Sequence, residues 1–228
     1  MLSAKFQHEG CAETGITSID YLVGCLQRGI IAEIYGDPDL LFPASYIATA
    51  SLHCKGGAVL GIVQENPLNY DLYAVRTALR SMKCSEDGLL VSRAFRIEDA
   101  VDMIREAMNL PQESLIVFDP YAHSPNLPRE YTRLSPLTAV IRSAAGRGKR
   151  VVLFNRVTKF GKFLPEGGNM HHHSVTVIVK LEKSGRRSYR ATLIKHPTKP
   201  QTSISGSLRE LYEVGKSWGG QSLLAEWL

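Results

Sequence analysis

The stretch Gly36-Asp37-Pro38-Asp39-Leu40-Leu41-Phe42-Pro43 has the setting of a phosphate-binding loop without its chemistry. An apolar run, Ile30-Ile31-Ala32-Glu33-Ile34-Tyr35, leads into Gly36, and a helix-compatible stretch from Ala44 to Cys54 follows. A loop of the form G-x-x-x-x-G-K-[ST] grips a polyphosphate with backbone amides, reaches its end with lysine and holds magnesium through a hydroxyl. Here the second glycine is Leu41, the lysine is Phe42 and the hydroxyl is Pro43. Asp37 and Asp39 place negative charge where phosphates would sit, and Pro43 removes an amide donor near the helix start. The loop is therefore read as degenerate, and no cofactor is expected.

A second chemical signal is charge. From Arg142 to Lys199 there are 14 Lys/Arg against two acids, Glu166 and Glu182, a balance of +12, while the rest of the chain carries −7. Segregation on this scale fits either a solvated face or a polyanion-binding surface, and the accompanying Gly, Phe and His favour the second. His171, His172 and His173 are consecutive; on a strand they would alternate faces, so they are not read as ligands of one metal ion. Cys11, Cys25, Cys54 and Cys84 have no C-x-x-C pairing or histidine at ligand spacing, and are expected as reduced core thiols.

These residues need a scaffold, and the pattern supplies an α/β one. With 228 residues, 44% hydrophobic and 21% charged, the chain suits one large domain, expected over residues 1–228. Strands are predicted at Ile30–Tyr35, Ala58–Val63, Gly88–Ser92, Ser114–Asp119 and Arg150–Asn155. Helical periodicity covers Tyr70–Met82, Ile97–Asn109 and Glu130–Arg147, clearest where Ile97, Ala100, Val101, Ile104 and Met108 recur at three- and four-residue steps. Strands alternating with helices predict a mostly parallel central sheet flanked by helices. The period then becomes two: Val175, Val177, Val179 and Leu181 alternate with Thr176, Ile178, Lys180 and Glu182, Ser184-Gly185 turns the chain, and Tyr189, Ala191, Leu193 and Lys195 return. This predicts a C-terminal antiparallel hairpin extending the sheet. The tail Leu223-Leu224-Ala225-Glu226-Trp227-Leu228 reads equally as a core plug or a partner-binding segment. No apolar run approaches the roughly 20 residues of a membrane span, and residues 1–10 lack a signal-peptide core, so a soluble, cytoplasmic protein is expected.

Three segments carry a family resemblance. Thr14-Gly15-Ile16-Thr17-Ser18-Ile19-Asp20-Tyr21-Leu22-Val23-Gly24 and Gly29-Ile30-Ile31-Ala32-Glu33-Ile34-Tyr35-Gly36 resemble the entry to the ATPase core of the RecA/RadA recombinase superfamily, T-G-x-x-x-L-D-x-L-L-G-G-G and G-x-I-T-E-[IF]-x-G. Pro165-Glu166-Gly167-Gly168-Asn169-Met170-His171-His172-His173-Ser174 is similar to the archaeal segment P-x-G-G-x-x-x-x-H-[ST] that closes the second DNA-binding loop, with His173 matching the family's structural histidine. Tyr189-Arg190-Ala191-Thr192-Leu193-Ile194-Lys195-His196-Pro197-Thr198-Lys199-Pro200 is similar to R-x-A-R-L-x-D-x-P-x-x-P. The matches lie in the family's order from Thr14 to Pro200. The chain resembles a core-only archaeal RadA paralogue, in the manner of RadB.

The resemblance puts Glu65 in the place of the water-activating glutamate, Asp119 in that of the magnesium aspartate and Arg156 in that of the γ-phosphate-sensing glutamine. Without the lysine, Glu65 and Asp119 are equally read as retained for strand-end hydrogen bonds. The family's single-stranded-DNA loop corresponds to residues 157–168, where Lys159 and Lys162 alternate with Phe160 and Phe163, offering charge for phosphates and rings for stacking, or rings for the core. Arg156, Arg186 and Arg187 complete the expected DNA-contacting set. Lys195 replaces the aspartate of the segment that, in family filaments, caps a neighbour's ATP, which marks Lys195 and Pro197 as a partner edge. The implied function is a catalytically inactive accessory protein of recombination or DNA repair, with single-stranded DNA and a RecA/RadA-type recombinase or another paralogue as partners. A divergent DNA-dependent ATPase and a purely structural subunit are the alternatives.

Overall fold

The structure, a computed structural model, describes residues 10–63, 70–125, 128–159 and 164–212. Its centre is an eight-stranded sheet: β1 (Ile31–Gly36), β2 (Ala58–Val63), β3 (Leu90–Ala94), β4 (Ser114–Phe118), β5 (Arg150–Arg156), β6 (Val177–Lys183), β7 (Ser188–Lys195) and β8 (Thr202–Ser207). The spatial order is β3-β2-β4-β5-β1-β6-β7-β8. The strands from β3 to β6 run parallel, and β7 and β8 add antiparallel at one edge.

Strands β1, β2 and β4 are buried at every position because helices cover both faces, which is why they read as continuous apolar runs. Helices α1 (Thr17–Val23), α2 (Pro38–Gly56) and α3 (Leu72–Ser81) pack on one face, joining Ala32, Ile34, Leu60, Ile116 and Phe154 in one core. Helices α4 (Ile97–Met108) and α5 (Ser135–Gly146) pack on the other, with Tyr35, Val59, Leu115 and Leu153. Short helices α6 (Gly168–Ser174) and α7 (Leu208–Tyr212) flank β6 and follow β8. Among the described residues, no helix is long and apolar enough to cross a membrane.

The predicted α/β class holds, and β2 and α4 match their sequence patterns to within a residue. Five details differ. Helix α2 starts at Pro38, six residues before the predicted Ala44. Pro43 leaves the Asp39 carbonyl without its helical N–H, and Tyr212 Oη, from the far end of the chain, donates to that carbonyl at 2.9 Å. The hairpin continues into a third antiparallel strand, β8, and the predicted Glu130–Arg147 helix divides into a 3₁₀ segment (Pro128–Leu134) and α5. The three histidines lie on α6 rather than on a strand, because Gly167 and Gly168 turn the chain into a helix before β6 begins. The cysteines, expected as reduced core thiols, form two disulfides, Cys11–Cys25 and Cys54–Cys84, since folding brings the Cα atoms within 5.6 and 5.9 Å.

Candidate functional site

Ligands of open parallel sheets bind outside the carboxyl ends of the strands, so the ends of β1, β4 and β5 are the place to look. The β1–α2 junction is one residue, Asp37, too short to wrap a phosphate. Gly36 has φ +143°, and a Cβ there would collide with the Leu181 carbonyl of β6, which closes the junction from the side. Leu40 and Leu41 are buried, and their amides bond the Asp37 carbonyl at 2.9 and 3.1 Å in the first helical turn.

Phe42, at the lysine position, packs its ring 4.6 Å from Phe118 at the end of β4 and 6.3 Å from Tyr70. Tyr46 meets Tyr70 edge-on at 4.9 Å, and Tyr70 Oη is 2.9 Å from Ser45 Oγ. Burial pushes the Tyr70 phenol well above its ordinary range, so it remains a neutral member of an aromatic cluster. The helix N-terminus already has its anions. Asp37 accepts the Lys183 amide at 2.7 Å, and Asp39 pairs with Lys183 Nζ at 2.5 Å, tying α2 to the end of β6.

Asp119 follows β4 with φ +53°, a left-handed conformation uncommon outside glycine, and its amide bonds the Phe154 carbonyl at 2.7 Å. Arg156, at the end of β5, grips it with two nitrogens: Nε donates to Oδ1 at 2.9 Å and Nη2 pairs with Oδ2. The pair is largely enclosed, at 18% and 31% side-chain exposure. A guanidinium thus neutralises the carboxylate that the family resemblance assigns to magnesium. Glu65 lies outside the described residues.

Beyond β5, Val157 and Pro165 form a bridge, with the Thr158 amide on Leu164 O at 2.9 Å and the Glu166 amide on Arg156 O at 3.0 Å. Lys159 does not simply face outward: its Nζ donates to Ser124 O at 2.9 Å and its amide to Glu166 Oε2 at 3.0 Å. Phe160, Lys162 and Phe163 lie outside the described residues.

The base of this loop rests on a buried polar network that sequence reasoning missed. Asn155 Nδ2 donates to Glu166 O and Glu33 Oε1, both at 2.7 Å. Glu33 meets His171 Nε2 at 2.8 Å, and His171 Nδ1 meets Tyr121 Oη at 2.8 Å, which in turn contacts Thr138 Oγ1 at 2.9 Å. Glu166 also accepts from Tyr131, whose phenol is pushed up to about 12 by burial and then by the Glu166 carboxylate. The available signal was Glu33, a lone acid inside an apolar strand, which must find partners when buried. The buried structural histidine is accordingly His171, in place of the expected His173, because α6 turns residue 171 toward the sheet.

Much of the basic segment is likewise engaged internally. Arg150, 1% exposed, donates to Leu26 O at 2.8 Å, Ser114 Oγ at 2.8 Å and Gly10 O at 2.6 Å. Lys149 holds Gln112 O, Lys199 holds Leu22 O, and Lys180 pairs with Glu182. Lys195 Nζ donates to the carbonyls of His172 and His173 at 3.0 and 3.3 Å, closing the end of α6. Pro197 sits exposed in a turn where His196 Nδ1 accepts the amides of Thr198 and Lys199. Arg186 and Arg187 are exposed at the tip of the β6–β7 hairpin, and Arg190 is exposed on β7. Among the described residues, no group of His, Cys, Asp and Glu is placed to hold a metal ion. In comparisons with known proteins, no family model and no curated protein matches this chain.

Proposed function

We propose that the chain is a catalytically inactive RecA/RadA-like paralogue, an accessory protein of homologous recombination or DNA repair that binds single-stranded DNA, a recombinase partner, or both. The observation that carries the reading is the closed corner at the ends of β1 and β4. Phe42 fills the lysine position against Phe118, and Arg156 neutralises Asp119. Phosphoryl transfer depends on a loop, a lysine and a metal that stabilise charge, and ring packing with an internal ion pair supplies none of them. What the hairpin offers outward is positive charge, Arg186 and Arg187, both exposed. Such charge suits phosphate backbones without reading base sequence. Lys195 supports the partner edge indirectly, by holding α6 while Pro197 faces out.

The deciding experiment pairs two titrations of the purified chain. Calorimetry with ATP and magnesium is expected to show no micromolar binding, and fluorescence anisotropy with a labelled oligothymidylate is expected to show salt-dependent binding. Micromolar ATP affinity defeats the pseudo-ATPase assignment. Absence of single-strand binding, both alone and with the cognate recombinase, defeats the DNA assignment.

A further inference from the structure

At the opposite end of the sheet, the amino ends of β2, β3 and β4 border a groove of about 370 Å³ lined by His53, Cys54, Cys84, Asp87, Pro111 and Gln112. The Cys54–Cys84 disulfide joins the last turn of α2 to the segment between α3 and β3. Cys54 is exposed and Cys84 partly so, which leaves the pair accessible to a small reagent in the groove.

His53 makes this disulfide unlike the other. His53 is only 7% exposed, and its Nε2 donates to the carbonyl of Ser85, the residue after Cys84, at 3.1 Å. That bond leaves Nδ1 as the other ring nitrogen, and Nδ1 is buried without a hydrogen-bond partner. A disulfide sulfur carries no hydrogen to give it. A thiol does carry one, so reduction adds a hydrogen-bond donor to the groove that His53, Cys54 and Cys84 line together. Cys11–Cys25 is braced instead: the neighbouring Ala12 and Leu26 form a two-way backbone bridge at 3.0 and 2.7 Å, and Arg150 clamps Gly10 O and Leu26 O on either side.

We propose that Cys54–Cys84 is a thiol-exchange site that takes a small-molecule thiol of the glutathione class. The external thiolate attacks one sulfur and forms a mixed disulfide, and the released protein thiolate takes up a proton. A second external thiol then displaces the first from the protein, so that two small thiols leave as one disulfide and Cys54 and Cys84 become a dithiol. Reduction removes the covalent coupling between the end of α2 and the segment leading into edge strand β3, while the His53–Ser85 hydrogen bond stays. This proposal does not depend on the DNA reading.

The test equilibrates the whole chain in graded mixtures of reduced and oxidised glutathione, quenches with acid, alkylates, and quantifies each cysteine by peptide mass spectrometry. Cys54–Cys84 is expected to open at a ratio about tenfold less reducing than Cys11–Cys25, passing through a glutathione adduct on Cys54 or Cys84. His53→Ala removes the ring and is expected to make Cys54–Cys84 about threefold harder to open while leaving the Cys11–Cys25 midpoint in place. His53→Asn serves as the second variant should the alanine fail to fold. Opening of both pairs together, opening of Cys11–Cys25 first, or a midpoint indifferent to residue 53 overturns the assignment. Hydrogen exchange at residues 83–94 is expected to quicken in the reduced protein, and unchanged exchange overturns the uncoupling.

Discussion

Two regions share the carboxyl end of the parallel sheet and have met opposite fates. Around β1, β4 and the start of α2, every group that could have faced a ligand faces another part of the protein: Phe42 the Phe118 and Tyr70 rings, Asp119 the Arg156 guanidinium, Asp39 the Lys183 ammonium. A few residues further along the same edge, the β6–β7 hairpin leaves Arg186 and Arg187 in solvent. Burial explains the difference. In an enclosed corner an unpaired charge or an empty volume is costly, so a ring fills the space and an ion pair cancels the charge. A hairpin tip pays no desolvation and can keep its cations unpaired.

The largest test of this contrast removes the plug. Phe42→Ala opens space among Phe118, Tyr70 and Tyr46, and because Phe42 is only partly buried the loss should lie at or below the low end of the about 3–5 kcal/mol of a fully buried phenylalanine. Urea denaturation measures it; a loss under about 1 kcal/mol would mean the cluster is not what holds the corner shut.

Breaking the ion pair should cost somewhat less and also reach across to the open region. Asp119→Asn is expected to lower stability by about 1.5–3 kcal/mol, the range for hydrogen bonds to charged groups. It also releases Arg156 toward the loop after β5, so oligothymidylate binding should tighten several-fold. Destabilisation with weaker DNA binding would remove Arg156 from the DNA-contacting set.

The open region should respond in the reverse manner. Arg186→Ala with Arg187→Ala is expected to leave stability within about 0.5 kcal/mol, as for surface changes generally. The slope of log affinity against log salt for single strands should fall by about 1.4, two phosphates at about 0.7 each. An unchanged slope would place the DNA elsewhere.

The smallest effect sits between the two regions, on α6. Burial first, and then the neighbouring Lys195 ammonium, hold the His172 imidazole below its ordinary value of 6.5. The unfolded chain therefore takes up a proton that the folded chain resists, so this contribution to stability is full above about pH 6.5 and is lost as pH falls below it. His196, lowered by burial and Lys199, acts in the same direction. His172→Asn should shrink the drop in melting temperature between about pH 7.5 and about pH 5.5. An identical drop in the variant would assign the acid sensitivity to other groups.

Local pattern was enough for much of this architecture. Ala58–Val63 is apolar throughout because helices cover both faces of its strand, and α4 shows its buried face at helical spacing. The alternation from Val177 to Lys195 announced the hairpin. The residues at positions 41–43, Leu, Phe and Pro where a phosphate loop would carry glycine, lysine and a hydroxyl, are likewise read without coordinates.

What the sequence could not reveal is where each charge and ring ends, because that depends on partners far along the chain. Helix α2 tolerates Pro43 because Tyr212 reaches the orphaned carbonyl, and Asp119 meets Arg156 because β4 and β5 are neighbours in space. A +12 segment reads as one polyanion surface only while its members are counted; folding turns Arg150, Arg156, Lys159 and Lys195 inward onto carbonyls and a carboxylate. Cysteine pairing belongs to the same class, since it follows Cα approach across intervals of 14 and 30 residues. Local spacing determines which elements form, whereas desolvation, a property of the assembled interior, decides which polar groups must find each other and which remain available to a partner.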